Sequence, residues 1–224
     1  EQLIEANSKL SASESVVEAT AFSSGGWIVQ LFSAITATVI DAVSYLFSAL
    51  SLALIRAPES SPRRTDVGQG VFKQTVEGLA LVWREPVLRA IGGCNVAHGA
   101  THGIIAPLVM LFAVRDLGIQ PGILWMIFAT GGLSSLVGAL VAERVAQRFG
   151  VGPAMVSGFL VGSVSPLFIA LAHGPLILAV AFLVAEQVIG GLPGTVYDIN
   201  QMSLRQTITP ERALGRVNAS MGFM

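Results

Sequence analysis

The most constraining feature of the sequence is a long apolar run, residues 174–197, with a single acidic residue, Glu186, in its middle. An α-helix rises about 1.5 Å per residue, so roughly 20 apolar residues cross the hydrocarbon core of a bilayer. The run therefore predicts a membrane-spanning helix with Glu186 near the bilayer midplane. A charge at that depth costs on the order of 2.5–3.5 kcal/mol on insertion scales, so we expect Glu186 to have a partner or a function.

Further apolar stretches predict more spanning helices. Charged residues make up only 12% of the sequence, whereas soluble domains carry about 25%. We therefore expect an all-α integral membrane protein with six transmembrane helices. The predicted spans are residues 15–33, 34–55, 90–113, 121–142, 151–172 and 174–197.

The basic residues predict the orientation of these helices. Cytoplasmic loops are enriched in Lys and Arg, and with the N-terminus inside, every basic residue except Arg115 falls on the cytoplasmic side. This predicts an N-in, C-in topology. The longest inner segment, residues 56–89, joins a Pro/Ser/Arg-rich stretch to an amphipathic helical pattern that starts at Val71 and is ended by Pro86.

Polar residues in the third predicted span are candidates for a functional site. Asn95, His98 and His102 have spacings of three and four, which place them on one helical face. The two histidines are central in their span, as Glu186 is in its own. An imidazole exchanges protons near neutral pH, and a carboxyl in a low-dielectric medium keeps its proton to higher pH than in water. These residue types suit a proton-coupled transporter.

Other interpretations of these residues stay open. Glu186 and the histidines could instead be polar groups satisfied at helix contacts, and two histidines four apart could bind a metal, although the flanking Glu of a zinc site is missing. We predict no metal and no cofactor. Asp41, in the outer third of the second span, either faces a cavity or reaches the outer interface.

Two stretches carry a resemblance to a known family. Residues 3–16, LIEANSKLSASESV, and residues 202–220, MSLRQTITPERALGRVNAS, resemble bacterial major facilitator superfamily exporters of the enterobactin-exporter and macrolide-efflux-like (transmembrane secretion effector) branch. Residues 111–119 resemble the segment after that family's seventh helix. The resemblance implies a twelve-helix fold, of which this chain is a piece covering about helices five to ten.

The resemblance also implies a division of the chain. Residues 1–56 would hold the last two helices of the N-terminal half, and residues 57–89 the cytoplasmic loop between the halves with its amphipathic helix. Residues 90–224 would hold the first four helices of the C-terminal half and the cytoplasmic loop that follows.

Residues 139–148, ALVAERVAQR, resemble the inner-loop signature of the superfamily. Glu143, Arg144 and Arg148 keep its charged positions, whereas alanines replace both of its glycines. The resemblance implies that these three residues form a conformational latch. Ordinary anchoring of the positive inner loop is the alternative.

The resemblance implies a secondary active transporter, an efflux permease of the inner (plasma) membrane. It would export a small amphipathic molecule, such as a drug or siderophore, by alternating access. Proton antiport through Glu186, with His98 or His102, is inferred from their chemistry. The expected partners are the lipid bilayer, the substrate and protons, with a monomeric protein.

Other functions are less well supported by the sequence. The net charge of −1 argues against nucleic acid as a partner. An intramembrane enzyme is a rival hypothesis, but no Gly-x-Ser-Gly motif surrounds a candidate nucleophile, so we predict that the chain is not an enzyme. A non-transporting membrane scaffold or sensor is the third hypothesis.

Overall fold

The computed structural model describes residues 5, 7–17, 20–21, 34–54 and 71–223, and within them the secondary structure is helical. Residues 7–17 form a helical segment. The helices after it are α1 (Ala34–Ala53), α2 (Val71–Arg84), α3 (Pro86–Arg115), α4 (Pro121–Phe149), α5 (Val151–Val164), α6 (Pro166–Leu171), α7 (Leu176–Ile208) and α8 (Glu211–Phe223).

Four helical segments of the described chain are long and apolar enough to cross a membrane. They are α3, α4, the pair α5–α6 and α7, and they correspond to the third to sixth predicted spans. The second predicted span corresponds to α1, whose apolar part, Thr38–Ala53, is shorter. The first predicted span, residues 15–33, and the Pro/Ser/Arg-rich stretch lie largely outside the described residues. Six spans and the N-in, C-in topology therefore stay predictions.

The short helices α2 and α8 pack against each other. α2 begins at Val71, as the amphipathic pattern predicts. Pro86 occupies the first turn of α3, where a backbone N–H has no partner within the helix, so proline costs no hydrogen bond there. Gly78 permits the close approach, since a Cβ there would lie 2.7 Å from the Arg216 carbonyl oxygen. Arg216 Nη1 donates to Glu77 Oε2 at 2.9 Å, which ties α2 to α8.

The fifth predicted span is interrupted. α5 ends at Val164 and α6 begins at Pro166, with Ser165 buried between them. The Ser165 N–H bonds to the Gly162 carbonyl at 3.1 Å, a tightened last turn. Proline cannot donate to the preceding turn, so the helix restarts there at a new first position.

α7 is the central helix, and it packs along both α4 and α5. Glycines permit this contact. A Cβ at Gly138 of α4 would lie 2.6 Å from the Leu192 carbonyl oxygen, and one at Gly158 of α5 would lie 2.6 Å from the Pro193 carbonyl oxygen. Such contacts let membrane helices approach to backbone distance.

α3 is held in a different way. Its buried apolar side chains, Leu88, Ile91, Val109 and Ala113, lie near its two ends. They join two separate apolar clusters, one shared with α5, α7 and the α2–α8 pair, the other with α4 and the start of α7. Between the clusters, α3 and α7 face each other across open space.

Candidate functional site

A cavity of about 790 Å³ lies between α3, α4, α5 and α7. Binding pockets for drug-sized molecules measure about 300–1,000 Å³, so a small organic molecule fits. Its wall combines aromatic rings with polar and titratable groups. The lining side chains include His98, His102, Trp125, Phe128, Phe159, Glu186, Gln187, Tyr197 and Asp198.

The cavity contains three residues that the sequence predicts for one site. His98 and His102 lie on α3 and Glu186 lies on α7, and all three line the wall. The imidazole rings stack with 6.2 Å between centroids, and His102 lies close enough to Glu186 for an electrostatic interaction. Gln187 Nε2 donates to Glu186 Oε2 at 2.7 Å, which fixes the half-buried carboxyl. The role of the three residues in transport stays a prediction.

Asp198 lines the same cavity, and sequence reasoning missed it. The apolar run ends at Tyr197, so the sequence places the next residue in an inner loop, whereas α7 continues to Ile208. Asp198 is exposed to the cavity. His98 lies close enough for an electrostatic interaction with it, and the Gln201 side chain is within hydrogen-bonding reach.

Aromatic rings connect α5 to α3 and α7 beside Asp198. The Phe159 ring lies 5.2 Å from the Tyr197 ring and 6.5 Å from the His98 ring, centroid to centroid. The Tyr197 hydroxyl donates to Asn95 Oδ1 at 3.3 Å. Asn95 is therefore placed behind the cavity wall, where it holds Tyr197 rather than contacting the cavity itself.

A hydroxyl from α4 bonds to the backbone of α7. Ser134 Oγ donates to the Val188 carbonyl at 2.7 Å and accepts from the Leu192 N–H at 3.0 Å. The next residue, Pro193, lies inside α7 and has no N–H to donate to the helical ladder. In sequence, these contacts lie between Glu186 and Asp198.

The remaining predicted site residues lie elsewhere. Asp41 is exposed on α1 and does not line the cavity. At the end of α4, Glu143 accepts from Gln147 Nε2 at 3.0 Å, and the Arg148 guanidinium lies 5.5 Å from the centroid of the Phe149 ring. Among the contacts of the described residues, neither Arg144 nor Arg148 forms an ion pair with Glu143.

The helical segment 7–17 docks on the ends of α4 and α7, a contact that the sequence did not indicate. The buried Asn7 donates from Nδ2 to Ser203 Oγ at 2.9 Å and to Gln206 Oε1 at 3.0 Å. The pKa of Lys9 is raised, mainly by its hydrogen bond to Glu5 and to a smaller extent by Glu143. The sequence does contain a signal for this contact, the cluster of polar residues at 200–206. These residues lie within α7 and are too polar to face lipid, so they need a protein partner.

Within the described ranges of the chain, no group of three or more His, Cys, Asp or Glu side chains lies close enough to hold a metal ion. The histidine pair on α3 is best described as part of the cavity wall.

The sequence profile of the Major Facilitator Superfamily matches residues 1–224. The chain belongs to this superfamily. This is a superfamily of transporters rather than enzymes, and its match together with the four apolar helices indicates a multi-pass membrane protein, as the sequence predicts.

Curated relatives are also transporters. An "uncharacterized MFS-type transporter y4rN" of Sinorhizobium fredii is 25% identical over 218 residues, which is 96% of this chain and 52% of the relative. The "multidrug efflux pump Tap" of Mycolicibacterium fortuitum is 26% identical over 207 residues, 89% of this chain and 48% of the relative. That of Mycobacterium tuberculosis is 28% identical over 137 residues, 59% of this chain and 33% of the relative.

The chain thus spans about half the length of the first two relatives. No solved structure gives a significant match.

Proposed function

We propose that the protein containing this chain exports a small amphipathic molecule across the inner membrane by alternating access, in exchange for protons. The observation that carries the proposal is the common cavity of Glu186, His98 and His102 in a member of this superfamily. Relatives named as multidrug efflux pumps support export as the direction of transport.

Glu186 is the proposed proton-coupling residue. Its carboxyl is half-buried in an apolar span and faces the cavity, so a change in its protonation changes the charge at the substrate site. In the proposed cycle, a proton from outside neutralises the Glu186 carboxylate, and its release to the cytoplasm restores the negative charge. Gln187 holds the carboxyl in position in both steps.

The stacked histidines are proposed to pass protons along the cavity. His102 interacts with Glu186, and His98 interacts with Asp198, so the pair lies between the two carboxyls. A neutral imidazole has one donor and one acceptor nitrogen, which suits a proton relay.

The conformational latch is proposed at the inner ends of α4 and α7. Asn7 joins the segment assigned to the first half of the protein to Ser203 and Gln206 of the second half. Glu143, Arg144 and Arg148 lie at the end of the neighbouring helix α4 and would add charge to the same contact. Breaking the Asn7 hydrogen bonds would open the inner end.

The test is Glu186→Gln in the full-length protein, reconstituted in liposomes with an imposed proton gradient. We expect proton-driven efflux to fall at least about 10-fold, because the amide cannot take up a proton, while exchange of substrate for substrate without a gradient continues. Glu85→Gln is the control, since Glu85 is an exposed residue before α3, outside the cavity.

Two outcomes would contradict this proposal. Full gradient-driven efflux by Glu186→Gln would show that another residue couples transport to protons. No substrate flux by the wild-type protein under any gradient would favour the scaffold or sensor hypothesis.

A further inference from the structure

Asp198 is the second carboxylate of the cavity, and the proposed transport cycle uses it only as the neighbour of His98. Its surroundings differ from those of Glu186. Glu186 is half-buried and accepts a hydrogen bond from Gln187, whereas Asp198 is exposed to the cavity. Among the described residues, no Lys or Arg forms an ion pair with it. A carboxylate in this position is available to a ligand.

Asp198 has a hydrogen-bonding neighbour in Gln201. Gln201 lies one turn further along α7, is buried outside the cavity lining, and its side chain is within hydrogen-bonding reach of Asp198. An ionised carboxyl has about four acceptor positions, so this contact leaves others for a ligand with N–H donors. A carboxylate forms its strongest hydrogen bonds with donors that are positively charged.

The wall around this position also fits a cation with an apolar body. The rings of Tyr197 and Phe159 lie beside Asp198, and aromatic faces attract ammonium and guanidinium groups. Trp125 and Phe128 add apolar surface elsewhere in the cavity. No Lys or Arg is among the described side chains that line it, so the wall has no permanent positive charge for an anionic substrate.

We propose that Asp198 binds the cationic group of the exported molecule. The substrate class is then an organic cation, a protonated amine or guanidinium attached to an apolar body. Asp198 and Glu186 lie about 18 Å apart along α7, at about 1.5 Å per residue. The substrate cation and the coupling proton therefore occupy different ends of the cavity. As a substrate site, the inference rests on the proposed export function, but binding can be measured without transport.

The experiment compares two ligands with the same apolar body and different charge. Monodansylcadaverine carries a protonated primary amine, and its N-acetyl derivative is neutral. Binding of each to the purified full-length protein is followed by dansyl fluorescence. We expect the wild-type protein to bind the cation at least about 10-fold more tightly than the neutral analogue.

Substitutions then test which residue causes the preference for the cationic ligand. Asp198→Asn should weaken binding of the cation at least about 10-fold and leave binding of the neutral analogue unchanged, and Asp198→Glu should restore part of the preference. Asp116→Asn is the matched control, because Asp116 follows the end of α3 outside the cavity. Unchanged binding of the neutral analogue shows that the variant is folded.

Several results would overturn the inference. Equal binding of both ligands by the wild-type protein would do so even if no Asp198 variant folded. Equal weakening of both ligands in Asp198→Asn would indicate a structural role. If Glu186→Gln loses the preference for the cation and Asp198→Asn keeps it, the cation binds at Glu186 and not at Asp198. If Glu186→Gln keeps full gradient-driven efflux while the wild-type protein still prefers the cation, the coupling role of Glu186 is rejected. The binding site at Asp198 is then still supported.

Discussion

Two of the helices beside α7, α4 and α3, contact it in different ways. On the α4 side, a Cβ at Gly138 would lie 2.6 Å from the Leu192 carbonyl oxygen, and Ser134 bonds directly to the α7 backbone. On the α3 side, the described contacts at cavity depth are electrostatic or long, such as the 3.3 Å bond from Tyr197 to Asn95. The first interface is packed backbone to backbone, and the second encloses a cavity.

This difference separates residues that hold the fold from residues that serve the site. Substitutions at the α4–α7 interface should act mainly on stability, because no space exists there for added atoms. Substitutions on the cavity side should act mainly on binding and transport. The predictions below test this division, from the largest expected effect on stability to the smallest.

The largest effect is expected for Gly138→Val. A Cβ at this position would meet the Leu192 carbonyl oxygen and lie 3.0 Å from Thr195 Cβ, so α4 and α7 must separate. Overpacking of this kind costs on the order of 1–3 kcal/mol or more. The thermal unfolding temperature and the yield of monodisperse protein should both fall. Gly103→Val on α3 is the control, since a Cβ there meets nothing within 4 Å; equal losses in both variants would refute the division.

An intermediate effect is expected for Ser134→Ala. The variant loses a hydroxyl that donates to the Val188 carbonyl and accepts from the Leu192 N–H, so two hydrogen bonds between α4 and α7 are lost. We expect a loss of about 1 kcal/mol, measured as a lower unfolding temperature. Ser157→Ala removes a hydroxyl that bonds within its own helix, to Ala154, and should change stability less. A larger loss for Ser157→Ala would argue against a special role of the interhelical bond.

The smallest effect on stability is expected for Tyr197→Phe. It removes one long hydrogen bond between α7 and α3, worth about 0.5 kcal/mol, and keeps the ring contact with Phe159. The unfolding temperature should stay close to that of Tyr45→Phe, a variant of an exposed residue on α1. A loss as large as that of Gly138→Val would mean that α3 and α7 are tightly joined after all.

The sequence predicts the parts of the site that differ most from their surroundings. Glu186, His98 and His102 are polar residues in the middle of apolar helices, and hydropathy alone identifies them. The start of α2 at Val71 follows from helix periodicity, and its end before Pro86 follows from the restriction that proline places on the preceding residue.

Other features depend on partners distant in sequence. Asp198 was missed because α7 remains helical through the polar residues Asn200, Gln201 and Ser203, which are buried. Asn7 helps to bury this polar part of α7, since it donates to Ser203 from a position 196 residues earlier in the chain. Ser134 offers no signal in the sequence either, because its partners are backbone groups of another helix.

The Ser134 contacts and Pro193 lie between Glu186 and Asp198 on α7. In a straight helix, the separation of two carboxyls is set by the number of residues between them. A proline inside a helix removes one backbone hydrogen bond and is a common site of bending. A bend of α7 at Pro193 would change the distance between the two acidic groups, and with it the size of the molecules that fit between them.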